Sequence, residues 1–422
     1  MAGADFEDWM DPSWDDDAEY TVPPGLIYVD VLAMRGWSVK FTFMKDGKEK
    51  TGSGFFVDID LPTDYVILTA AHNLWSLESD TPSTDIKIEY PSSTGSGIES
   101  YTIAQQTQDS VYVNKPYHEK SSQQRGEPEV DYGFLRIPRK PGEPRRGFGL
   151  SLKLAYADFF TGDMHIQGFQ DKSKPGQPIQ SSGACVECYP ARVEYSIKTQ
   201  PGISGSVVWV EFAGSPFAVA IHNNGPEYAG GGSRGARITE AMMREVFKWL
   251  GDAKLKENVR LQVVDLRRQA RPGQPSLAPP NGLFLSFETS FGFGRVRLGT
   301  GTSFDLIPAQ LLNGPEELYV LKAHASGKWL KFEPMKNRVV LEDKWNDNCT
   351  FRMDTSSPTA KQPWGSLVVP ERDPNMDKLK GESYVLRMEA NYLSLTEPEA
   401  ESSEVSLVRY PTQDLFVKFS FA

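Results

Sequence analysis

From about residue 25 onward, short apolar runs alternate with turn-forming residues at regular intervals. Residues 26–32, 37–43, 54–57 and 65–69 read as strands, separated by Lys45, Asp46 and Gly47 and by the stretch 61–64 around Pro62. Further strands are expected at 86–90, 100–104, 132–137, 164–169, 191–198, 206–212 and 217–222. One segment has helical period. Met242, Met243, Val246, Phe247 and Leu250 make an apolar face over 239–250, with Thr239 placed to cap it and Gly251 to end it. Many short strands closed by a single helix imply an all-β protein built from barrels or sandwiches.

Beyond residue 282 strand patterns resume with an internal repeat. Residues 317–332 and 382–395 each run strand, tight turn, strand, and each is followed by two more apolar strands; a weaker copy spans 282–307. Between the two β-rich regions, 253–281 is dense in Pro, Gln and Arg and reads as an extended linker. The expected organisation is therefore an acidic tail over 1–24, a first β unit over 25–252, the linker, and a second β unit over 282–422. At 422 residues the chain is long enough for two or three domains, and 36 Gly with 30 Pro suit a turn-rich fold.

Composition narrows the function. A net charge of −11 without a basic stripe speaks against nucleic-acid binding, and Arg267, Arg268 and Arg271 sit in the Pro-rich linker. Three cysteines make no disulfide framework, which together with an N-terminus lacking a basic and apolar leader leads us to expect an intracellular, cytoplasmic protein, unconventional export staying open. No apolar run is long enough for a membrane span. Cys185 and Cys188 lie in an expected hairpin with no second pair to complete a metal site, so no metal or cofactor is expected.

Three segments carry candidate chemistry. Thr69-Ala70-Ala71-His72 ends an apolar strand, where a histidine can be presented into a cleft. Asp131 opens the apolar run 132–137. Ser204 stands in Pro201-Gly202-Ile203-Ser204-Gly205-Ser206, where the glycines let the Gly202 and Ser204 N–H groups point at one spot and make an oxyanion hole. Taken singly each is ordinary: a packed histidine, a turn aspartate, a glycine-rich loop. Together, in the order His, Asp, Ser and each at a strand end, they have the residue types of an acyl-transfer triad.

The Thr-Ala-Ala-His and Gly-x-Ser-Gly-Ser segments resemble the two signatures of chymotrypsin-fold serine proteases. The look is nearest to the glutamyl endopeptidase-like branch, over about residues 30–250. The resemblance implies two six-stranded barrels with the triad His72, Asp131 and Ser204 in the cleft between them, a closing helix, and protein or peptide substrates. It further implies that Thr199 and His222 line the pocket for an acidic residue, preferably Glu, before the scissile bond. Ala220 replaces a usual Gly, and Ile203 stands where that branch has Asn or Asp. Glu19-Tyr20 in the acidic tail would then be a self-processing site. The repeat beyond 282 resembles a β-trefoil of the fascin-like kind, which implies a recruitment module for a glycan or protein ligand. The alternatives are a scaffold of the same fold that binds with little turnover, and a lectin-like defence protein acting through the trefoil.

Overall fold

The structure, a computed structural model, describes residues 31–267 apart from 60, 93–96, 161, 213, 226–231 and 252–254. It also describes 284–290, 293–299, 301–311, 318–333, 338–345, 349–354, 366–368, 392–395, 405–408 and 416–421. The acidic tail, Glu19, Tyr20 and most of the repeat at 382–395 lie outside these residues.

The apolar runs become two sheets. The first holds β1 Ser38–Lys45, β2 Lys48–Val57, β3 Asp64–Thr69, β6 Thr84–Pro91, β7 Ile98–Ile103, β8 Val111–Val113 and β9 Gly133–Pro138, with a separate small hairpin of β4 Trp75–Ser76 and β5 Thr81–Pro82. Its order is β7-β6-β1-β2-β3-β9-β8. The second begins with β10 Gly149–Ser151 and continues through β11 Asp163–Gly168, β12 Ile179–Cys188, β13 Arg192–Tyr195, β14 Val207–Phe212, β15 Ser215–Asn224 and β16 Ser233–Arg237. Here β11-β12-β13-β16-β15-β14 returns to β11, closing a six-stranded barrel that leaves no free edge. The first sheet runs β7-β6-β1-β2-β3-β9-β8 without a pairing between its end strands β7 and β8, so it stays open there. The result is one half-barrel and one closed barrel, a mostly β architecture consistent with the two-barrel expectation.

Alternation along the strands explains how the two are joined. Phe41, Phe56, Ile67, Ile88 and Leu135 fill the first sheet's concave side. Ile166, Tyr195, Val208, Val210 and Val219 fill the second barrel. The opposite faces of the same strands, with Phe55, Leu68, Phe134 and Trp209, merge with Met243 and Phe247 of the helix into a third core between them. That helix is Glu240–Leu250, as the period predicts. The Thr239 side chain accepts from the Met242 N–H at 3.3 Å, and Gly251 ends it in the left-handed region at φ 64°.

Three local expectations change. Val31–Arg35 is a short helix, so residues 31 and 32 of the strand expected over 26–32 are helical, and 26–30 lie outside the described residues. The full ten-residue strand β12, beyond the hairpin expected at Cys185 and Cys188, and β16 were not foreseen. The stretch read as linker opens instead with a strand, β17 Lys256–Arg267, and its remainder from 268 is outside the described residues. After it come β18 Phe284–Ser290, β19 Phe293–Gly299, β20 Ser303–Leu311, β21 Leu318–Ala323, β22 Trp329–Glu333, β23 Arg338–Glu342 and β24 Thr350–Asp354, near the segments singled out from the repeat. β17 pairs with β20 and with the final strand Phe416–Phe421. The helix meets these strands through Arg244–Asp305 at 2.9 Å and Lys322–Glu240 at 2.6 Å.

Two of the five histidines are structural within or against this frame. His165 stacks on Trp209, rings 4.3 Å apart, and its Nδ1 lies 2.7 Å from Ser182 Oγ. Burial lowers its pKa to about 4. His324 sits 2.7 Å from Asp305 in the contact with the helix. The sign for His165 follows from linkage. Its folded pKa lies below the unfolded value, so its neutral form stabilises the fold fully above pH ~6.5, and that stability is lost as pH falls from there toward 4. Between pH 7 and pH 5 this one group is expected to cost about 2 kcal/mol. Thermal midpoints of the wild type and His165→Gln across that range check it: the variant should show a shallower acid limb, and parallel curves would refute the assignment.

Candidate active site

The pairing of β3 with β9 brings two of the candidate residues together. Thr69 is opposite Gly133 in an antiparallel register, so His72, three residues past one strand, and Asp131, two residues before the other, emerge at the same end. The Asp131 Oδ1 accepts the His72 backbone N–H at 2.9 Å, and Oδ2 lies 2.7 Å from His72 Nδ1. Asp131 is buried, whereas the His72 side chain is 27% exposed toward the cleft. A carboxylate so placed selects the tautomer with the proton on Nδ1 and leaves Nε2 as a base.

The surroundings hold this pair in place. Pro128–Val130 forms a single tight turn, and Asn114 Nδ2 donates to the Val130 carbonyl at 2.9 Å. Asn223 Nδ2, from the second barrel, donates to the Pro128 carbonyl at 2.6 Å. Lys45 Nζ donates to the His72 carbonyl at 2.7 Å. None of these helpers has a local sequence signal, since their partners are 16 to 95 residues away.

Ser204 comes from the second barrel, just before β14, and the first sheet grips its loop. Ser53 N–H and Asn73 Nδ2 both donate to the Ser204 carbonyl, at 2.8 and 2.9 Å. Ser53 Oγ contacts the Gly202 carbonyl at 2.9 Å. Thr69 Oγ1 donates to the Ser53 carbonyl at 2.6 Å, and Asn73 Nδ2 contacts Thr69 Oγ1 at 3.0 Å. Asn73 follows His72 directly, so this joint ties the histidine's short helix, Ala71–Leu74, to the serine loop. Among the described residues no hydrogen bond joins the Ser204 hydroxyl to the His72 ring. Loose nucleophile–base contacts are common where no substrate is present.

The loop's backbone is tightly constrained. Gly202 takes φ 93°, and a Cβ there would sit 2.5 Å from the Asp171 nitrogen. Ile203 N–H donates to the Gln200 carbonyl and Gly205 N–H to the His222 carbonyl. Among the described residues, the Gly202 and Ser204 N–H groups donate to no protein acceptor. The buried side chain of Ile203 enters the barrel's core, so the residue that departs from the resembled pattern is used for packing.

Thr199 and His222, the two residues expected to line a pocket, contact different partners, Ser233 and Tyr195. His222 lies near the end of β15 and is 1% exposed. Its N–H donates to the Ser206 carbonyl at 2.9 Å. Its Nδ1 is 2.5 Å from the Tyr195 hydroxyl, a partner that motif reading missed. Burial, and then the neighbouring His72, lower its pKa to about 3. Thr199 Oγ1 lies 3.3 Å from Ser233 Oγ. Elsewhere, Cys185 and Cys188 are free thiols with sulfurs 3.6 Å apart in the β12–β13 hairpin, the hydrogen bond between them holding the Cys185 thiol below its usual range. Among the described residues no three His, Cys, Asp or Glu side chains are grouped to hold a metal ion, and no helix is long and apolar enough to cross a membrane.

No protein-family model matches the chain, and no curated protein matches it. Solved structures do. A thermostable serine protease from an extremophilic microorganism is similar over 52% of this chain and 99% of its own, at 11% identity and a TM-score of 0.38. A Glu endopeptidase is similar over 52% of this chain and 93% of its own, at 17% identity and a TM-score of 0.39. A scabies mite inactivated protease paralogue is similar over 53% of this chain and 98% of its own, at 15% identity and a TM-score of 0.36. These likenesses cover the N-terminal half.

Proposed function

We propose that the chain is a serine endopeptidase in which Ser204 is the nucleophile, His72 the general base and acid, and Asp131 the residue that orients His72. The observation that carries this reading is the two-point hold of Asp131 on His72, with the serine loop clamped beside it by Asn73 and Ser53. Ser204 Oγ attacks the scissile carbonyl carbon and passes its proton to His72 Nε2. The oxyanion accepts from the Gly202 and Ser204 N–H groups. His72 then gives the proton to the leaving amine, and the C–N bond breaks to leave an acyl-enzyme. Water, deprotonated by His72, repeats the attack and releases Ser204.

The residue before the scissile bond is read as one whose side chain ends in a hydrogen-bonding oxygen, met by Thr199 and His222. Glutamate is the member that the resemblance implies. Residues 282–422 are read as a β-trefoil-like module that recruits the protease to a protein or glycan partner; the pairing of the last strand with β17, which precedes this region, supports a unit that closes back on its own start.

A fluorophosphonate probe tests the triad. The full chain should cut a denatured protein, should lose that activity on probe treatment, and should carry the added mass on Ser204 alone. Absence of both labelling and new peptide termini would replace the enzyme with the scaffold reading.

A further inference from the structure

Two thiols that the proposed reaction does not use stand together in the β12–β13 hairpin. Residues three apart on a regular strand point to opposite faces. Here the pairing slips: Cys185 is opposite Tyr195 and Glu187 is opposite Glu194, so β12 carries one extra residue between them. The slip turns Cys185 and Cys188 to the same face. Cys185 joins the second barrel's core, Cys188 packs against it, and the sulfurs lie 3.6 Å apart. Cys188 is only half-buried, and Val186 between the two is 51% exposed, so this end of the hairpin meets solvent. The buried Arg237 reaches the same place. Its Nη1 donates to the Tyr189 carbonyl at 2.9 Å, and its Nη2 to the Leu154 and Ala157 carbonyls at 2.9 and 2.5 Å. Those acceptors are neutral, and Arg237 Nε donates to none of the described residues. Burial opposes the guanidinium charge, and the groups that favour it most are Cys188 and Cys185.

We propose that Cys185 and Cys188 are a reversible oxidation site for hydrogen peroxide, at which the Cys185 sulfur attacks the peroxide and Cys188 closes a disulfide onto it. The two sulfurs are unequal. The hydrogen bond from Cys188, helped by the Phe160 backbone N–H and Arg237, holds the Cys185 thiol below its usual range, and the same bond holds Cys188 above its own. The thiolate is the attacking form, so Cys185 goes first. Its sulfur bonds to one peroxide oxygen, the O–O bond breaks, and the departing oxygen takes a proton and leaves as water. Cys185 is then a neutral sulfenic acid. Arg237 now favours the thiolate of Cys188, whose proton passes to solvent. The Cys188 sulfur attacks that of Cys185, the S–O bond breaks, and hydroxide leaves as water. In sum the two thiols give up two protons and two electrons, and one peroxide becomes two waters. A disulfide needs its sulfurs ~2 Å apart, so closure asks for side-chain rotation, not a new hairpin. A resolving thiol this near also keeps Cys185 from the irreversible steps beyond sulfenic acid. The site is independent of the endopeptidase reading.

The test treats the reduced full chain with hydrogen peroxide, blocks remaining thiols with N-ethylmaleimide, and reads the digest by mass spectrometry. The peptide holding Cys185 and Cys188 should lose two hydrogens and take no maleimide, and dithiothreitol should restore both thiols. Cys349, which is fully buried, serves as the internal control and should stay reduced. Maleimide on both hairpin cysteines, a bridge to Cys349 or to a second chain, or separate sulfinic acids at the two positions would each overturn the proposal. The order of events is tested by two variants. Cys188→Ser should stop at a sulfenic acid on Cys185, trapped by dimedone. In Cys185→Ser, Cys188 should be oxidised at least ~10-fold more slowly than the wild-type pair closes, because it has lost the better thiolate. Equal rates, or dimedone on Cys188 in place of Cys185, would overturn the assignment of Cys185 as the attacking sulfur. The wild-type bridge is read without either variant, so a variant that fails to fold leaves that arm of the test standing.

Discussion

On the proposed mechanism, Ser204→Ala and Asp131→Asn are expected to lower kcat by about a million-fold and about ten-thousand-fold, respectively, at pH 7.5. The two losses have different origins. Alanine removes the atom that forms the acyl-enzyme, and what remains is the rate that positioning and the Gly202 and Ser204 N–H groups supply on their own. Asparagine keeps the shape of Asp131 but reverses the demand at one position. Its amide oxygen can still accept the His72 backbone N–H at the place where Oδ1 accepts it at 2.9 Å. Its NH2 then faces His72 Nδ1, donates to it, and forces the ring proton onto Nε2, where the serine needs a base. KM should change little, because neither change touches the pocket. Initial rates and active-site titration on one peptide check both. An Asp131→Asn enzyme within tenfold of wild type would show that some other group orients His72.

The parts of this arrangement that were legible in the sequence are the local ones. The apolar runs before His72, after Asp131 and after Ser204 stand out because both of their faces are buried, one in a barrel and one in the shared core, so their alternation is filled in by further apolar residues. The helix was legible through its stripe and its cap. What stayed hidden depends on contacts distant in the chain. β16 consists of Ser233, Arg234, Gly235, Ala236 and Arg237; no apolar pattern marks it, yet all five are buried because β13 and β15 cover it from either side. β12 was hidden for the opposite reason: only Cys185 in it is fully buried, and its Ser-Ser-Gly stretch reads as a loop. Lys256–Arg267 follows the same logic, since it becomes a strand by pairing with partners some 45 to 160 residues away. Tyr195 illustrates the limit at the site itself. Nothing near it in sequence signals that its hydroxyl reaches His222.

The joint that holds Ser204 is the least tolerant place in the fold, and Gly205→Ala is the change that should expose it. Gly205 takes φ 88°, a left-handed conformation that strains any residue with a side chain. Space is the larger obstacle. A Cβ at this position would lie 2.0 Å from the Ser53 carbonyl oxygen, 2.3 Å from Thr69 Oγ1 and 2.8 Å from Asn73 Nδ2. The first is backbone of a central strand and cannot swing aside. Thr69 and Asn73 are committed to the hydrogen bonds that reach Ser53 and Ser204. Relief therefore requires the two barrels to separate locally, which breaks those bonds and opens the apolar contact beneath them. The expected cost is roughly 4 kcal/mol, at the exceptional end for one methyl group. For a unit of some 220 residues that corresponds to a midpoint lower by about 8–16 °C in a thermal melt of the full chain. Ser206→Ala, one residue on, removes a hydroxyl without adding an atom and should shift the midpoint far less. A Gly205→Ala midpoint within about 2 °C of wild type would mean that the barrels do not meet at this loop as described, and the clamp on Ser204 would have to be redrawn with them.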